Sequence, residues 1–388
     1  MNPRRRFLAG LTALGALPGS LAWAAGRREA APDNLLVLVY LKGGNDAYNT
    51  FVPLHDPLYR KLRPTLAVAR DQLIPFSSTH GFHPALRPLL PAWEANQLAL
   101  LQGIGQEDVT NQHYRDLEAQ FTGASPGEYR VDGWITRGLG ESDTAHPLDA
   151  LAFGDLDIRE ADPFGPFRGE RLKVVNVVHP SEWLQTRSIA RTLHLATPPA
   201  AALAGTFSVP ASSIQAHFPA DEFGDALRAT AELAAAGRAP RVVHITVNAQ
   251  NGDHHDAFDT HWDQARHHGP VLAKLAAGLA AFRDAMVGIG RWDRTLVATY
   301  DEFGRSPREN ERAGTHHGWA STHMVLGGRV KGGLYGEAPA LANVFSISGP
   351  PPVIDTRALY TTLIERWWGQ SANGVFARRF APLDLLRA

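Results

Sequence analysis

Residues able to do metal, acid–base or anion chemistry fall in a few short blocks. Asp46 closes Gly43-Gly44-Asn45-Asp46. Thr110 and His113 bound Thr110-Asn111-Gln112-His113. Asp259 and His261 are two residues apart. Glu302 and Arg305 lie in Asp301-Glu302-Phe303-Gly304-Arg305, and His316 and His317 are adjacent in Gly314-Thr315-His316-His317-Gly318-Trp319. The chain has 17 histidines, and eight of them lie between residues 254 and 323. Carboxylate oxygens and neutral imidazoles without thiolates suit Zn²⁺, Mn²⁺ or Fe, whereas more carboxylates would suit Mg²⁺ or Ca²⁺. In an extended segment Asp259 and His261 point the same way and can reach one ion. Adjacent His316 and His317 diverge, so one is expected on a metal and the other on substrate or a second ion. Such a cluster can hold one or two divalent ions, which polarise a substrate oxygen and activate a nucleophile. Arg305 can grip an anionic oxygen with two parallel donors. Simpler roles stay open: Asp46 as a turn cap, Glu302 in an ion pair with Arg305 or Arg308, and His113 on a helix face. His254 and His255 read as solvated loop residues.

These blocks need a frame that brings them together. Leu35-Leu36-Val37-Leu38-Val39-Tyr40-Leu41 is a continuous apolar run, the signature of a strand buried on both faces. Further strands are expected at 98–104, 172–178, 241–247, 295–300 and, briefly, 324–326. Helices are expected at 83–96, 112–121, 220–236, 262–287 and 356–368. In the fourth, Val271, Leu275, Leu279, Phe282 and Met286 form one apolar stripe, which is core. Residues 196–213, rich in Ala, Pro and Ser, read as a surface connection. Strands alternating with helices argue for a doubly wound α/β sheet. In such sheets sites form beyond the carboxyl ends of the strands, and each chemical block follows a strand or lies close after one.

Composition fits a globular chain: 388 residues, 44% hydrophobic, 20% charged, net charge −1, no cysteine. Without cysteine there is no thiolate zinc or iron–sulfur site and no cysteine nucleophile. The first residues read as an address. Arg4-Arg5-Arg6-Phe7-Leu8 precedes an uncharged Gly- and Ala-rich run to Trp23, and Ala22-Trp23-Ala24 has the small-x-small pattern of a cleavage site. This resembles a twin-arginine export signal over residues 1–24, with Pro3 where Ser or Thr is usual. The run is too short for a membrane span. Removing it takes away three arginines and no acid, leaving a net charge of −4. An acidic surface gives no reason to expect nucleic acid or anionic lipid as a partner.

Taken together, these residues resemble the DUF1501 family of exported bacterial proteins, within the alkaline phosphatase superfamily. The matching stretches are the export signal, Leu41-Lys42-Gly43-Gly44-Asn45-Asp46-Ala47-Tyr48-Asn49-Thr50, Gly133-Trp134, Asp259-Thr260-His261, residues 302–310 and residues 314–328. The resemblance implies one alkaline phosphatase-like domain over 25–388, with a mostly parallel central sheet between helices. It implies hydrolysis or transfer of a phosphate or sulfate ester, with one or two divalent ions and a Ser, Thr or modified nucleophile. Carried over by motif, Asp46, Asp259, His261, His317 and Glu302 are the metal ligands, with His316 where the family often has Asp. That substitution favours Zn or Mn over Mg or Ca. The family often has Ser where Gln112 stands, which leaves Thr110 as the nucleophile candidate and Asn111 as an oxyanion donor. His113 and Arg305 complete the catalytic set. The expected partners are a small anionic ester and the twin-arginine machinery, in the periplasm or outside the cell. The alternative is an exported binding or assembly protein that has lost catalysis.

Overall fold

The computed structural model describes residues 34–140, 148–154, 165–186, 193–195, 214–247, 257–341 and 346–387. The export signal, the 196–213 connection, His254 and His255 lie outside the described residues.

Strand β1 (Leu35–Leu41) is buried at all seven positions. Leu35, Val37, Val39 and Leu41 enter one hydrophobic cluster, and Leu36, Leu38 and Tyr40 enter another on the opposite face. Side chains alternate along a strand, so a strand covered on both faces must be apolar throughout. Each such side chain contributes roughly 1.5–3 kcal/mol of burial.

The described strands continue as β2 (Phe51–Pro53), β3 (Ile74–Pro75), β4 (His80–Phe82), β5 (Leu98–Gly105), β6 (Ala150–Phe153), β7 (Val174–Val177) and β8 (Leu193–Leu195). After them come β9 (Val242–Val247), β10 (Thr295–Tyr300), β11 (Gly304–Glu309), β12 (Thr315–Gly318), β13 (Ser321–Gly327), β14 (Gly333–Gly336) and β15 (Ile354–Asp355). Ten form the central sheet, in the order β14-β5-β13-β10-β1-β9-β6-β7-β8, with β15 also on β5. Pairing is parallel except at β13, which runs against both β10 and β5, and at β8. Hence β1, β5, β9 and β10 all present their carboxyl ends at one edge. A second sheet pairs β11 with β12, and a third runs β2-β4-β3.

Helices Glu222–Ala235 and Gln264–Gly288 cover one face, the second through Val271, Leu275, Leu279, Phe282 and Met286. Helices Trp134–Gly138 and Thr356–Thr362 cover the other. This is the expected α/β architecture, with local differences. The helix expected at 83–96 is a 3₁₀ helix, Pro84–Leu89, followed by a short α-helix, Leu90–Glu94. Pro88 and Pro91 lack the N–H that a continuous helix needs. The helix expected to 368 changes to a π turn over Leu363–Trp367. The short strand expected at 324–326 is seven residues long and antiparallel. Its polar start, Ser321, Thr322 and His323, is fully paired into the sheet and buried.

Candidate metal centre

The loop after β1 turns sharply, with φ of 102° at Gly43 and 89° at Gly44. A Cβ on Gly44 would lie 2.7 Å from the Phe303 carbonyl oxygen, so glycine lets the β1 and β10 loops touch. Across that contact the Gly43 amide donates to Glu302 Oε1 at 3.0 Å. After β5 the chain reaches Asn111, a non-glycine residue with φ of 60°, and then helix His113–Thr122. The hairpin β11–β12 folds back over this edge and pairs Arg305 with His317.

Four of these side chains converge. One donor atom from each of His113, Asp259, His261 and His317 lies within 4.8 Å of all the others. His261 Nε2 is 2.9 Å from His317 Nε2 and 3.0 Å from Asp259 Oδ1. His317 Nε2 is 3.6 Å from Asp259 Oδ1, and His113 Nε2 is 3.7 Å from Asp259 Oδ2. The outward nitrogens of two rings are anchored. His317 Nδ1 lies 2.7 Å from the Asn111 carbonyl oxygen, and His113 Nδ1 lies 2.7 Å from Glu302 Oε1. A carbonyl and a carboxylate only accept, so each Nδ1 carries the proton and each Nε2 turns a lone pair inward. This is the arrangement by which an outer oxygen orients a ligating histidine.

Burial would raise the pKa of Asp259. The contacts with His261 and His317 and the nearness of Arg305 and His113 outweigh it, so the carboxyl is held well below the usual carboxylate range. Burial pulls the His317 imidazolium down, against the opposing contact with Asp259. Both groups are thus kept in the forms that ligate a cation.

The other expected site residues are not part of this group of four. Asp46 is fully buried outside the four-residue cluster. Its Oδ2 lies 2.5 Å from Arg63 Nη1, and its Oδ1 accepts from Arg63 Nη2 at 3.0 Å and from the Tyr48 amide at 3.1 Å. Gln264 Nε2 also donates to Asp46 Oδ2. Asp46 therefore caps the short helix Ala47–Thr50 and neutralises a buried arginine. Glu302 stands behind His113. Arg305 is buried; it donates through Nε to Gly44 O, and through Nη2 to Phe258 O and Asp259. Arg305 fixes Asp259 in place. His316, half-buried, lies outside the cluster, its ring 6.4 Å from that of His261. The Thr110 hydroxyl and amide both donate to Asp116 Oδ1 at 2.9 Å. Arg63, Gln264 and Asp116 were not signalled by the sequence, because each acts through a partner distant in the chain or across a helix start.

Comparison with known proteins gives a family match over part of the chain. Residues 211–372 match the DUF1501 family model, described as a protein of unknown function. The DUF1501 match contains Asp259, His261, Glu302, Arg305 and His317; Asp46 and His113 lie before it. No curated protein matches the chain. Three solved structures are distantly similar. The lipoteichoic acid synthase LtaP from Listeria monocytogenes is 12% identical, with 89% of this chain and 74% of that one covered and a TM-score of 0.44. A protein in the alkaline phosphatase superfamily from Vibrio parahaemolyticus is 10% identical, with 86% and 66% covered and a TM-score of 0.41. The phosphonate monoester hydrolase from Silicibacter pomeroyi is 14% identical, with 90% and 75% covered and a TM-score of 0.40. No helix among the described residues is long and apolar enough to cross a membrane.

Proposed function

We propose that the chain is a DUF1501 member of the alkaline phosphatase superfamily, exported by the twin-arginine route, that hydrolyses a phosphate or sulfate ester with a divalent cation. The observation that carries this reading is the donor set itself. Two ligands of a tetrahedral zinc ion at 2.0–2.1 Å stand about 3.3 Å apart. The separations of 2.9, 3.0, 3.6 and 3.7 Å among the four side chains bracket that value. Three imidazoles and one carboxylate suit Zn²⁺ or Mn²⁺ over Mg²⁺ or Ca²⁺.

Asp259, His261 and His317 are the closer three and would hold the ion. When bound, the cation supplies Lewis-acid polarisation of the ester oxygen. His113 borders these three, with Glu302 holding its Nδ1 proton, so its Nε2 lone pair faces the site and is placed to accept a proton from an attacking water. Thr110 is the nucleophile in this reading. Its hydroxyl donates to Asp116, whose pKa burial raises despite several hydrogen bonds, so a proton acceptor already sits on the attacking oxygen.

The test is metal analysis of the mature protein together with turnover of p-nitrophenyl phosphate and p-nitrophenyl sulfate. Bound zinc or manganese and turnover are expected. Asp259→Ala should lose both, and His113→Ala should keep metal and lose turnover. Thr110→Ser should retain turnover that Thr110→Ala loses. Metal without turnover of either ester would favour the exported binding protein, and neither metal nor turnover would overturn the proposal.

A further inference from the structure

A cavity opens on the face of the sheet that carries the long helix Gln264–Gly288. It has a volume of about 270 Å³, near the lower end of small-molecule sites. Phe51, Pro53 and Leu341 give it apolar walls. Gln102 of β5 and Tyr48 also line it, and they are only 5% and 4% exposed. Neither the Gln102 carboxamide nor the Tyr48 hydroxyl has a hydrogen-bond partner among the described residues. Thr322, the third polar residue on this wall, donates its hydroxyl to Leu101 O at 3.1 Å. The polar atoms of both residues are not sealed in the core, so two side chains without a protein partner open into one cavity and offer a ligand its polar contacts.

We propose that this cavity binds an uncharged, planar compound that bears a carboxamide or lactam edge. The Gln102 side chain presents a donor and an acceptor side by side, and a second amide edge satisfies both at once. The same pairing is how glutamine reads the edge of a nucleobase. Tyr48 adds one further donor, and the Tyr48 and Phe51 rings favour a flat ligand. An anion is disfavoured: no lysine or arginine lines the cavity, and Asp56 does. A metal is disfavoured as well, because His55, Asp56 and His80 form no group close enough to share an ion. The Tyr48 ring lies 5.1 Å from the Arg63 guanidinium. Burial pushes the Tyr48 pKa up, so its hydroxyl remains a donor across the working pH range. This site is independent of the metal-centre reading.

The probe is benzamide, with benzoate and toluene as matched anionic and apolar controls, titrated into the whole protein and followed by ligand-observed NMR. Benzamide should bind, benzoate should not, and toluene should bind at least tenfold more weakly. Gln102→Leu should weaken benzamide at least tenfold while leaving zinc affinity unchanged. If Gln102→Leu does not fold by circular dichroism, Tyr48→Phe takes its place, with a severalfold loss expected. Failure of benzamide to bind, equal binding by benzoate, or undiminished binding by the folded variant would overturn the proposal.

Discussion

Glu302 Oε1 lies 2.7 Å from His113 Nδ1, and it also accepts the Gly43 amide at 3.0 Å. One carboxylate oxygen therefore ties the β1 loop, the β10 loop and the helix after β5 together. It also decides which nitrogen of His113 faces Asp259. Glutamine at this position could keep the amide contact but would present a weaker acceptor to the imidazole. Outer-shell partners of this kind are worth about 10- to 100-fold in activity or metal affinity. Glu302→Gln should therefore lower kcat by about that range. Metal stoichiometry, measured on the same preparations, should not change, because Asp259, His261 and His317 are untouched. An equal loss of bound metal would instead make Glu302 a ligand.

Asp46 and Arg63 form a fully buried pair. Removing one partner of such a pair leaves an uncompensated buried charge, which costs about 3–5 kcal/mol. Asp46→Ala should lower stability by that order in denaturant titration, with bound metal per folded chain unchanged. Asp46→Ala that loses metal while keeping its stability would restore the ligand role the motif implied.

The frame was legible in the sequence because both faces of β1, β5, β9 and β10 are covered, which leaves β1 apolar throughout and the other three mostly apolar, broken only at positions such as Gln102, His244 and Thr299. β13 was read too short because its buried positions include Ser321, Thr322 and His323, and a run that starts with polar residues carries no strand signal. The site was legible in part. Asp259, His261, His317 and His113 follow strands or lie on the hairpin folded over their ends, and geometry brings them together. Asp46 and Glu302 share the motif but are claimed by Arg63 and by His113, partners 17 and 189 positions away. Spacing cannot show such claims. Nor can it show that the Asn111 carbonyl, carried by a left-handed residue, anchors His317.

Three histidines are buried away from the cluster with pKa values lowered to about 3: His244, His268 and His323. Burial is the leading cause in each. The unfolded chain titrates them near the ordinary 6.5, so below that pH it binds protons the folded state refuses. Stability is therefore full above about pH 6.5 and falls as the pH drops towards about 3. The slope is at most roughly 1.4 kcal/mol per pH unit for each histidine. His244→Gln, which keeps an acceptor within reach of the Tyr300 hydroxyl, should flatten the curve of stability against pH across that window. An unchanged slope between pH 6 and 4 would mean that His244 is protonated in the folded state.

Gly314 controls the centre without touching it. A Cβ there would lie 2.2 Å from the carbonyl carbon of His261 and 2.4 Å from the Trp262 amide nitrogen. These are backbone atoms and cannot swing aside. They are also clamped: Asn310 Nδ2 donates to His261 O at 2.9 Å, and the Thr315 amide donates to Thr260 O at 3.0 Å. Gly314→Ala must therefore shift either β12, which carries His317, or the segment that carries His261. The two imidazoles are 2.9 Å apart, so a shift of even half an ångström spoils a shared ion whose ligand distances vary by about 0.2 Å. Gly314→Ala should weaken zinc binding at least tenfold in competition with a chromophoric chelator, although no ligand has been replaced. Gly288→Ala is the control, because nothing lies within 4 Å of a Cβ there, and it should bind zinc as the native chain does. Native affinity in Gly314→Ala would show that the hairpin moves without carrying the ligands with it, and that the spacing of His261 and His317 does not depend on Gly314.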